Sequence, residues 1–193
     1  MKVTHLKARD FARQPWKNGG GTTTQLALHE ENARWLWRLS LAEVDEPGPF
    51  SDFSGYERTI MLVEGAGMEL TIDGRPSPAL CLPYVPFVFD GGARTSCALV
   101  CGPVKDLNLM VDRRRASGSV EVIDTNLFRG TQMRGACTLA YALRGWTRAT
   151  TEDVQATLAP GELLRIDGAH GQALDLVGLD RVALMALIRI HAN

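Results

Sequence analysis

Short apolar runs that stop on glycine or Asp-Gly turns recur along this chain, and that rhythm constrains its fold more than any other feature. Arg58 through Glu64 is followed by Gly65-Ala66-Gly67, Met68 through Ile72 by Asp73-Gly74, and Leu80 through Phe89 by Asp90-Gly91-Gly92. Runs of this length between such turns read as strands. The first two are expected to pair as a hairpin around the glycine turn. Pro83 and Pro86 remove two backbone donors, which suits the third run to an edge or a bent strand. Thr95 to Val100 and Leu107 to Val111 are further strands, separated by Gly102-Pro103. Trp35 to Val44 fits either a strand or a helix.

The second half repeats this grammar. Thr138 to Leu143, Val154 to Leu158 and Glu162 to Ile166 are strand-like, with Pro160-Gly161 and Asp167-Gly168 as turns. The stretch ending Phe89-Asp90-Gly91 lines up with the one ending Ile166-Asp167-Gly168, 77 positions on. A weakly repeated β unit follows, each copy too small to be robust alone. Ser117-Gly118-Ser119 is the best linker, dividing the chain into modules 1–116 and 117–193 that together form one compact unit. The preceding Arg113-Arg114-Arg115 reads as a solvated loop rather than a phosphate clamp.

Composition narrows the function classes. A hydrophobic share of 45% and a charged share of 22% support a sizeable core and exclude global disorder. A net charge of −1 lacks the electrostatic footprint of a nucleic-acid binder. No run is long and apolar enough for a membrane span, and the N-terminus does not read as a secretory signal, so a cytoplasmic protein is expected. Cys81, Cys97, Cys101 and Cys137 look like reduced core thiols. With no paired spacing and the four histidines far off in sequence, a zinc site is not expected.

The densest chemical signal is Gln14-Pro-Trp-Lys-Asn-Gly-Gly-Gly-Thr-Thr-Thr24. Three glycines bring backbone N–H groups close to a ligand, with Lys17, Asn18 and three threonines beside them, so the loop reads as an anion cradle or as a plain flexible turn. It is neither a Walker A loop nor a dinucleotide fingerprint. If Trp37 to Ala42 is a strand, Arg38, Ser40 and Ala42 share one face, and an inward Arg38 needs an acid or a ligand as partner. In Gly48 to Arg58, Phe50 is a candidate pocket wall and Arg58 its charge. Extended, Gly102 to Met110 puts Asp106, Asn108 and Met110 on one face, which is polar pocket lining if inward and ordinary surface if outward.

Taken together, Pro15-Trp-Lys-Asn-Gly-Gly-Gly-Thr22, Trp37-Arg-Leu-Ser-Leu-Ala42, Gly48-Pro-Phe-Ser-Asp-Phe53, Arg58, Glu64-Gly65-x-Gly67, Phe89-Asp90-Gly91 and Gly102-Pro-x-x-Asp-x-Asn-x-Met110 resemble the HutD/Ves family over roughly residues 5 to 115. The resemblance implies an all-β, RmlC-like cupin fold, as a two-module bicupin β-barrel or jelly roll. It also implies a cytoplasmic bacterial protein, in some members encoded with histidine-degradation genes, that binds a small carboxylate such as urocanate or formate to limit flux. The ligand-facing residues it implies are Asn18, Gly19, Gly20, Gly21, Thr22, Arg38, Ser40, Phe50, Arg58, Asp106 and Asn108. Metal-dependent cupins use clustered histidines, and none lies between Glu64 and Asp73, so neither metal nor cofactor is expected. The expected partner is that small acid, with no nucleic acid or membrane, and a homodimer is left open. The alternative is a metal-independent isomerase or lyase with Asp106 as general base and Arg38 stabilising developing negative charge. Binding is favoured over turnover because the matched motifs hold no histidine or activated nucleophile.

Overall fold

The computed structural model describes residues 1–78, 80–128 and 130–193. Among them there is no α-helix, and a single 3₁₀ turn spans Ala8–Asp10. The strands are β1 (Lys2–Leu6), β2 (Ala12–Pro15), β3 (Gly21–Glu31), β4 (Arg34–Val44), β5 (Gly48–Pro49), β6 (Tyr56–Glu64), β7 (Met68–Ile72), β8 (Arg75–Pro76), β9 (Phe87–Asp90), β10 (Thr95–Leu99) and β11 (Val104–Asp112). They continue with β12 (Ala116–Asp124), β13 (Thr131–Gln132), β14 (Cys137–Arg144), β15 (Thr147–Thr150), β16 (Gln155–Leu158), β17 (Leu163–Asp167), β18 (Ala173–Gly178) and β19 (Leu184–Ala192).

Two compact units result, Ala12–Ala116 and Met1–Phe11 with Ser117–Asn193. The first contains a six-stranded sheet ordered β2-β3-β4-β11-β6-β9 and a four-stranded sheet ordered β5-β10-β7-β8. Between them lies an apolar cluster that includes Ile60, Leu62, Met68, Leu70 and Cys97. The second contains sheets ordered β1-β17-β14-β19-β12 and β13-β18-β15-β16, with Ala140, Leu164, Leu176 and Leu187 in its core.

Register makes the internal repeat concrete. Arg58 faces Phe89 across β6 and β9 as Thr138 faces Ile166 across β14 and β17, and each pair sits directly before an Asp-Gly step. The β6–β11 and β14–β19 pairings each carry a register shift near the end of the shared ladder. The two halves therefore use the same strand order around their centres.

Several expectations change. Trp35 to Val44 is a strand, because its alternation has the period of two that a pleated sheet requires. The segments flanking Gly65-Ala66-Gly67 do not pair with each other, since β6 and β7 belong to different sheets. Those glycines serve close approach: at φ of +102° and +125°, a side chain on Gly65 would meet Pro103 and Val104, and one on Gly67 would meet Leu80 and Cys81. The tight hairpins instead join β3 to β4 over Asn32-Ala33 and β7 to β8 over Asp73-Gly74, all four residues having positive φ. Ser117-Gly118-Ser119 lies inside β12, where the serines take the more exposed positions of an alternating strand. Residues 1–11, read as part of the N-terminal module, group with the C-terminal one, because Lys2 through Leu6 pair with Leu163 through Asp167. Cys97 and Cys137 are buried thiols, whereas Cys81 and Cys101 are exposed.

Candidate functional site

Residues opposite one another on neighbouring strands share a face of the sheet. The register of the six-stranded sheet therefore sets Arg38, Met110, Arg58 and Phe89 in one row. Ser40, Asn108 and Ile60 form the next row, and Thr23, Ala42, Asp106 and Leu62 the one after it. This face turns inward onto a cavity of about 560 Å³, lined by Thr23, Arg38, Ser40, Arg58, Asp106, Asn108 and Met110 from the sheet. Trp16, Lys17 and Asn18 close one side, and Phe50 and Phe53 another. The volume is that of a site for a small organic molecule.

The corresponding face of the C-terminal unit is apolar. Ala140 lies opposite Leu187 and Ala142 opposite Met185, where the N-terminal unit sets Ile60 opposite Asn108 and Leu62 opposite Asp106. All four of those C-terminal side chains are packed into the core cluster. The same frame is filled in one copy and hollow and polar in the other.

Arg58 is 5% exposed, and its guanidinium lies 4.9 Å from the ring centres of Phe50 and Phe89 and 5.5 Å from that of Phe53. Arg38 lies 4.7 Å from the ring of Trp35. The rings cover the flat faces of these cations and leave their edges for hydrogen bonding. Neither arginine joins an ion pair among the described residues. The Nε atoms of both, with Oδ1 of Asp106 and Oδ1 of Asn108, are buried without a hydrogen-bond partner.

Loss of water dominates the electrostatics. Burial lowers the pKa of Arg58 to about 10, with Asp106 pulling it up and Arg38 pushing it down, so it stays charged at neutral pH. Burial lowers that of Arg38 as well. Asp106, 1% exposed, is pushed up to about 7 by burial, against the opposing pull of Arg58 and a hydrogen bond from Asn108. Among the described residues, the cavity lining holds three basic side chains and one acid that is half-neutral near pH 7, a balance that favours an anion.

The glycine loop is built differently from a cradle. Its backbone is folded on itself: the Gly19 N–H donates to Trp16 O, the Gly20 N–H to Asn18 Oδ1 at 3.2 Å, and the Trp16 N–H to Gly21 O. The Trp16 indole N–H donates to Thr23 Oγ1 at 2.8 Å, which fixes the ring at the cavity wall. Gly19, Gly20, Gly21 and Thr22 are therefore absent from the cavity lining, while Asn18 belongs to it. Thr22 is displaced by its neighbour because β3 alternates, so Thr23 takes the inward position. Gly21 is required for packing, since a Cβ there would run into Glu43 O and the Trp16 ring. Gly21→Ala is accordingly expected to unseat Trp16 and lower stability by about 1–3 kcal/mol, an overpacking cost, read as a fall in Tm with a shift in tryptophan emission.

Of the residues expected from sequence, Asn18, Arg38, Ser40, Phe50, Arg58, Asp106 and Asn108 come together around the cavity. Trp16, Thr23, Phe53 and Met110 also line it and were not among them. Phe53 could have been found from its spacing to Phe50 in one loop, and Met110 from its place on the Asp106–Asn108 face. Among the described residues, no three His, Cys, Asp or Glu side chains are grouped to hold a metal ion. Among those residues, too, no helix is long and apolar enough to cross a membrane.

Comparison with known proteins places this geometry. An uncharacterized 21.2 kDa protein from the hutC 3′ region of Pseudomonas putida is 41% identical over 121 residues, covering 62% of this chain and 63% of that protein. The chain thus matches a little under two thirds of the length of this curated relative. Among solved structures, a conserved protein of unknown function from Pseudomonas aeruginosa PAO1 superposes with a TM-score of 0.91 at 29% identity, and HutD from Pseudomonas fluorescens SBW25, in a formate condition, with 0.86 at 30%. Both matches cover 100% of each chain. A mutant oxalate decarboxylase from Bacillus subtilis, a bicupin, shares the fold at a TM-score of 0.67 and 8% identity, over 98% of this chain and 77% of its own. The fold is an all-β, two-module cupin, and since the HutD family model matches residues 8–184, the chain belongs to the HutD family.

Proposed function

We propose that the cavity of the N-terminal unit binds a small carboxylate, of the urocanate or formate class, and that binding regulates histidine utilisation. The observation that carries this reading is the pair Arg38 and Arg58, two desolvated guanidinium groups without an ion-pair partner among the described residues, in a cavity whose one acid is held half-neutral. Buried charges are normally paired, and a carboxylate supplies the missing partner. Aromatic walls at Trp16, Phe50 and Phe53 suit an unsaturated or planar acid body. The link to histidine utilisation rests on the relative from the hutC 3′ region and on the family itself.

Calorimetric titration with urocanate and with formate tests the reading. Binding is expected at one site per chain, because the equivalent space in the C-terminal unit is filled by Met185 and Leu187. Arg38→Ala is expected to weaken it at least tenfold, about 1.4 kcal/mol. Asn18→Ala is expected to weaken it less. Unchanged affinity in both variants would remove the assignment of this cavity.

A second reading, a metal-independent isomerase or lyase, is favoured by one observation: a carboxyl held at about 7 beside a substrate-sized cavity is suited to proton transfer at neutral pH. Consumption of urocanate by the purified protein, lost in Asp106→Asn, would establish it over simple binding.

A further inference from the structure

The Arg113-Arg114-Arg115 turn reads from sequence as a solvated loop, yet two of its three side chains are engaged. Arg113 Nη1 donates to Asp90 Oδ2 and Nη2 to Tyr56 O, each at 3.0 Å, which pins the turn to β9 and β6. Arg115 spreads its guanidinium over three partners: Nε to Asp112 Oδ2 at 3.1 Å, Nη1 to Glu31 Oε2 at 3.2 Å and Nη2 to Trp35 O at 3.2 Å. Asp112, which is buried, also takes Arg34 Nε at 3.2 Å. The β4–β11 ladder explains why Trp35 needs such a partner. It runs from Val44 opposite Val104 to Trp37 opposite Val111, and β11 ends at Asp112, so Trp35 lies beyond the last pair. Its carbonyl accepts instead from Arg115 and, at 3.0 Å, from the Tyr56 hydroxyl.

Trp35 is also the residue whose ring lies 4.7 Å from the guanidinium of Arg38. Neither Trp35 nor Arg115 is among the residues that line the cavity. We propose that Arg115 is a positioning residue: by holding the Trp35 backbone where the ladder stops, it fixes the ring on which Arg38 rests, and so the direction in which Arg38 meets an anion. The proposal deepens the carboxylate-binding reading, and its effect on affinity rests on that reading. An arginine on a fixed ring gives up less freedom on binding than one whose support must be ordered at the same time. Phe53 and Tyr56 steady the ring on other sides, at 6.2 and 6.3 Å between ring centres, and Phe53 is also 5.5 Å from the guanidinium of Arg58. Displacement at Trp35 therefore reaches both cations of the site.

Calorimetric titration with urocanate, beside fluorine NMR of protein labelled with 5-fluorotryptophan, tests this. Arg115→Met is expected to weaken urocanate binding about fivefold, within the range that coupled neighbours show, and to shift the Trp35 signal while that of Trp146 stays in place. With Trp35→Leu as the background, the same exchange is expected to cost almost nothing further, because its route to Arg38 is gone. Arg115→Lys keeps a cation beside Asp112 and Glu31 but lacks the planar fork that also reaches Trp35, so it is expected to restore the melting temperature and not the affinity. If Arg115→Met folds poorly, Arg115→Lys decides by the same affinity and the same fluorine signal. Arg114→Met, at an exposed residue held among the described residues through its backbone N–H alone, is expected to leave both unchanged. An unchanged affinity on exchange of Arg115, a Trp35 signal that does not move, or an undiminished loss in the Trp35→Leu background overturns the assignment. If neither urocanate nor formate binds the unmodified protein, the carboxylate reading falls, and the fluorine signals alone decide whether Arg115 holds Trp35.

Discussion

Exchanging Arg58 for methionine is expected to reduce carboxylate binding at least a hundredfold while leaving the protein folded. Arg58 is the most enclosed cation of the cavity, surrounded by Phe50, Phe53 and Phe89 and shielded from water. In such surroundings a charge-assisted hydrogen bond to an anion is far less screened than at a surface, and its loss is worth about 3 kcal/mol, which is the hundredfold. Methionine has the length and flexibility to occupy the aliphatic path of the arginine, and its sulfur packs acceptably against aromatic rings. Asp106 loses the cation that draws its pKa down, so it becomes neutral over a wider pH range and is not stranded as a buried charge. Lysine at the same place keeps the charge but cannot lie flat among three rings or offer a planar fork, so Arg58→Lys should recover only part of the affinity. Calorimetric titration with urocanate, run beside thermal melting, separates loss of the anchor from loss of the fold. Affinity of Arg58→Met within threefold of the unmodified protein would show that Arg58 is not an anchor.

The parts of this site that could be read from sequence are those governed by local alternation. Arg38 and Ser40 on β4, and Asp106, Asn108 and Met110 on β11, lie on common faces because strand side chains repeat every two residues, and the pattern alone specifies that much. It does not specify which face points inward, and that became fixed only when β3, β4, β11 and β6 were set in register. Thr22 and Thr23 show the limit most clearly: both are threonines in a run of three, and a shift of one residue exchanges the cavity side for the opposite one. The glycine loop failed as a cradle for another reason. Its N–H groups looked available because sequence gives no account of hydrogen bonds closed within a loop, and three of the relevant groups are already spent on Trp16, Asn18 and Gly21.

Strand existence was legible, and strand partnership much less so. The segments around Gly65-Ala66-Gly67 carry hairpin chemistry yet enter different sheets, because the glycines there relieve crowding against Pro103, Val104, Leu80 and Cys81, which are distant in sequence. The same holds for β1, whose partner β17 lies more than a hundred residues away and leaves no mark on the local pattern. The Asp90-Gly91 and Asp167-Gly168 correspondence was visible because a turn reports its own backbone, and register then tied it to equivalent positions in the two halves. What the repeat could not reveal was that positions lining a polar cavity in one copy are apolar and packed into the core in the other. That difference resides in Asp106 and Asn108 against Met185 and Leu187, four side chains whose equivalence is set only by the pairing of β11 with β6 and of β19 with β14.

Stability should depend on pH in a way that isolates Asp106, and the difference between the unmodified protein and Asp106→Asn is where this is expected to appear. The carboxyl titrates at 3.8 when free in water and at about 7 when folded, chiefly because burial disfavours its charge. Between those values the folded protein holds a proton that the unfolded chain has released, so raising the pH favours unfolding throughout that window. The penalty is absent below about pH 4, grows to about pH 7 and is constant above it. At about 1.4 kcal/mol per pH unit it reaches roughly 4 kcal/mol. Asp90, Asp112 and Glu162 act in the opposite sense, since partners hold their pKa values low and their stabilisation fades as the pH falls through those values. These groups lie outside the cavity lining and are common to both proteins, so they cancel in the difference. Asparagine removes the ionisable group and keeps its shape. In urea titrations from pH 4 to pH 8 the variant is therefore expected to gain on the unmodified protein by a few kcal/mol as pH rises to 7, with no further gain above it. Parallel curves across the whole range would mean that Asp106 is ionised in the folded protein well below neutrality, with enough water or cationic charge around it to offset its burial.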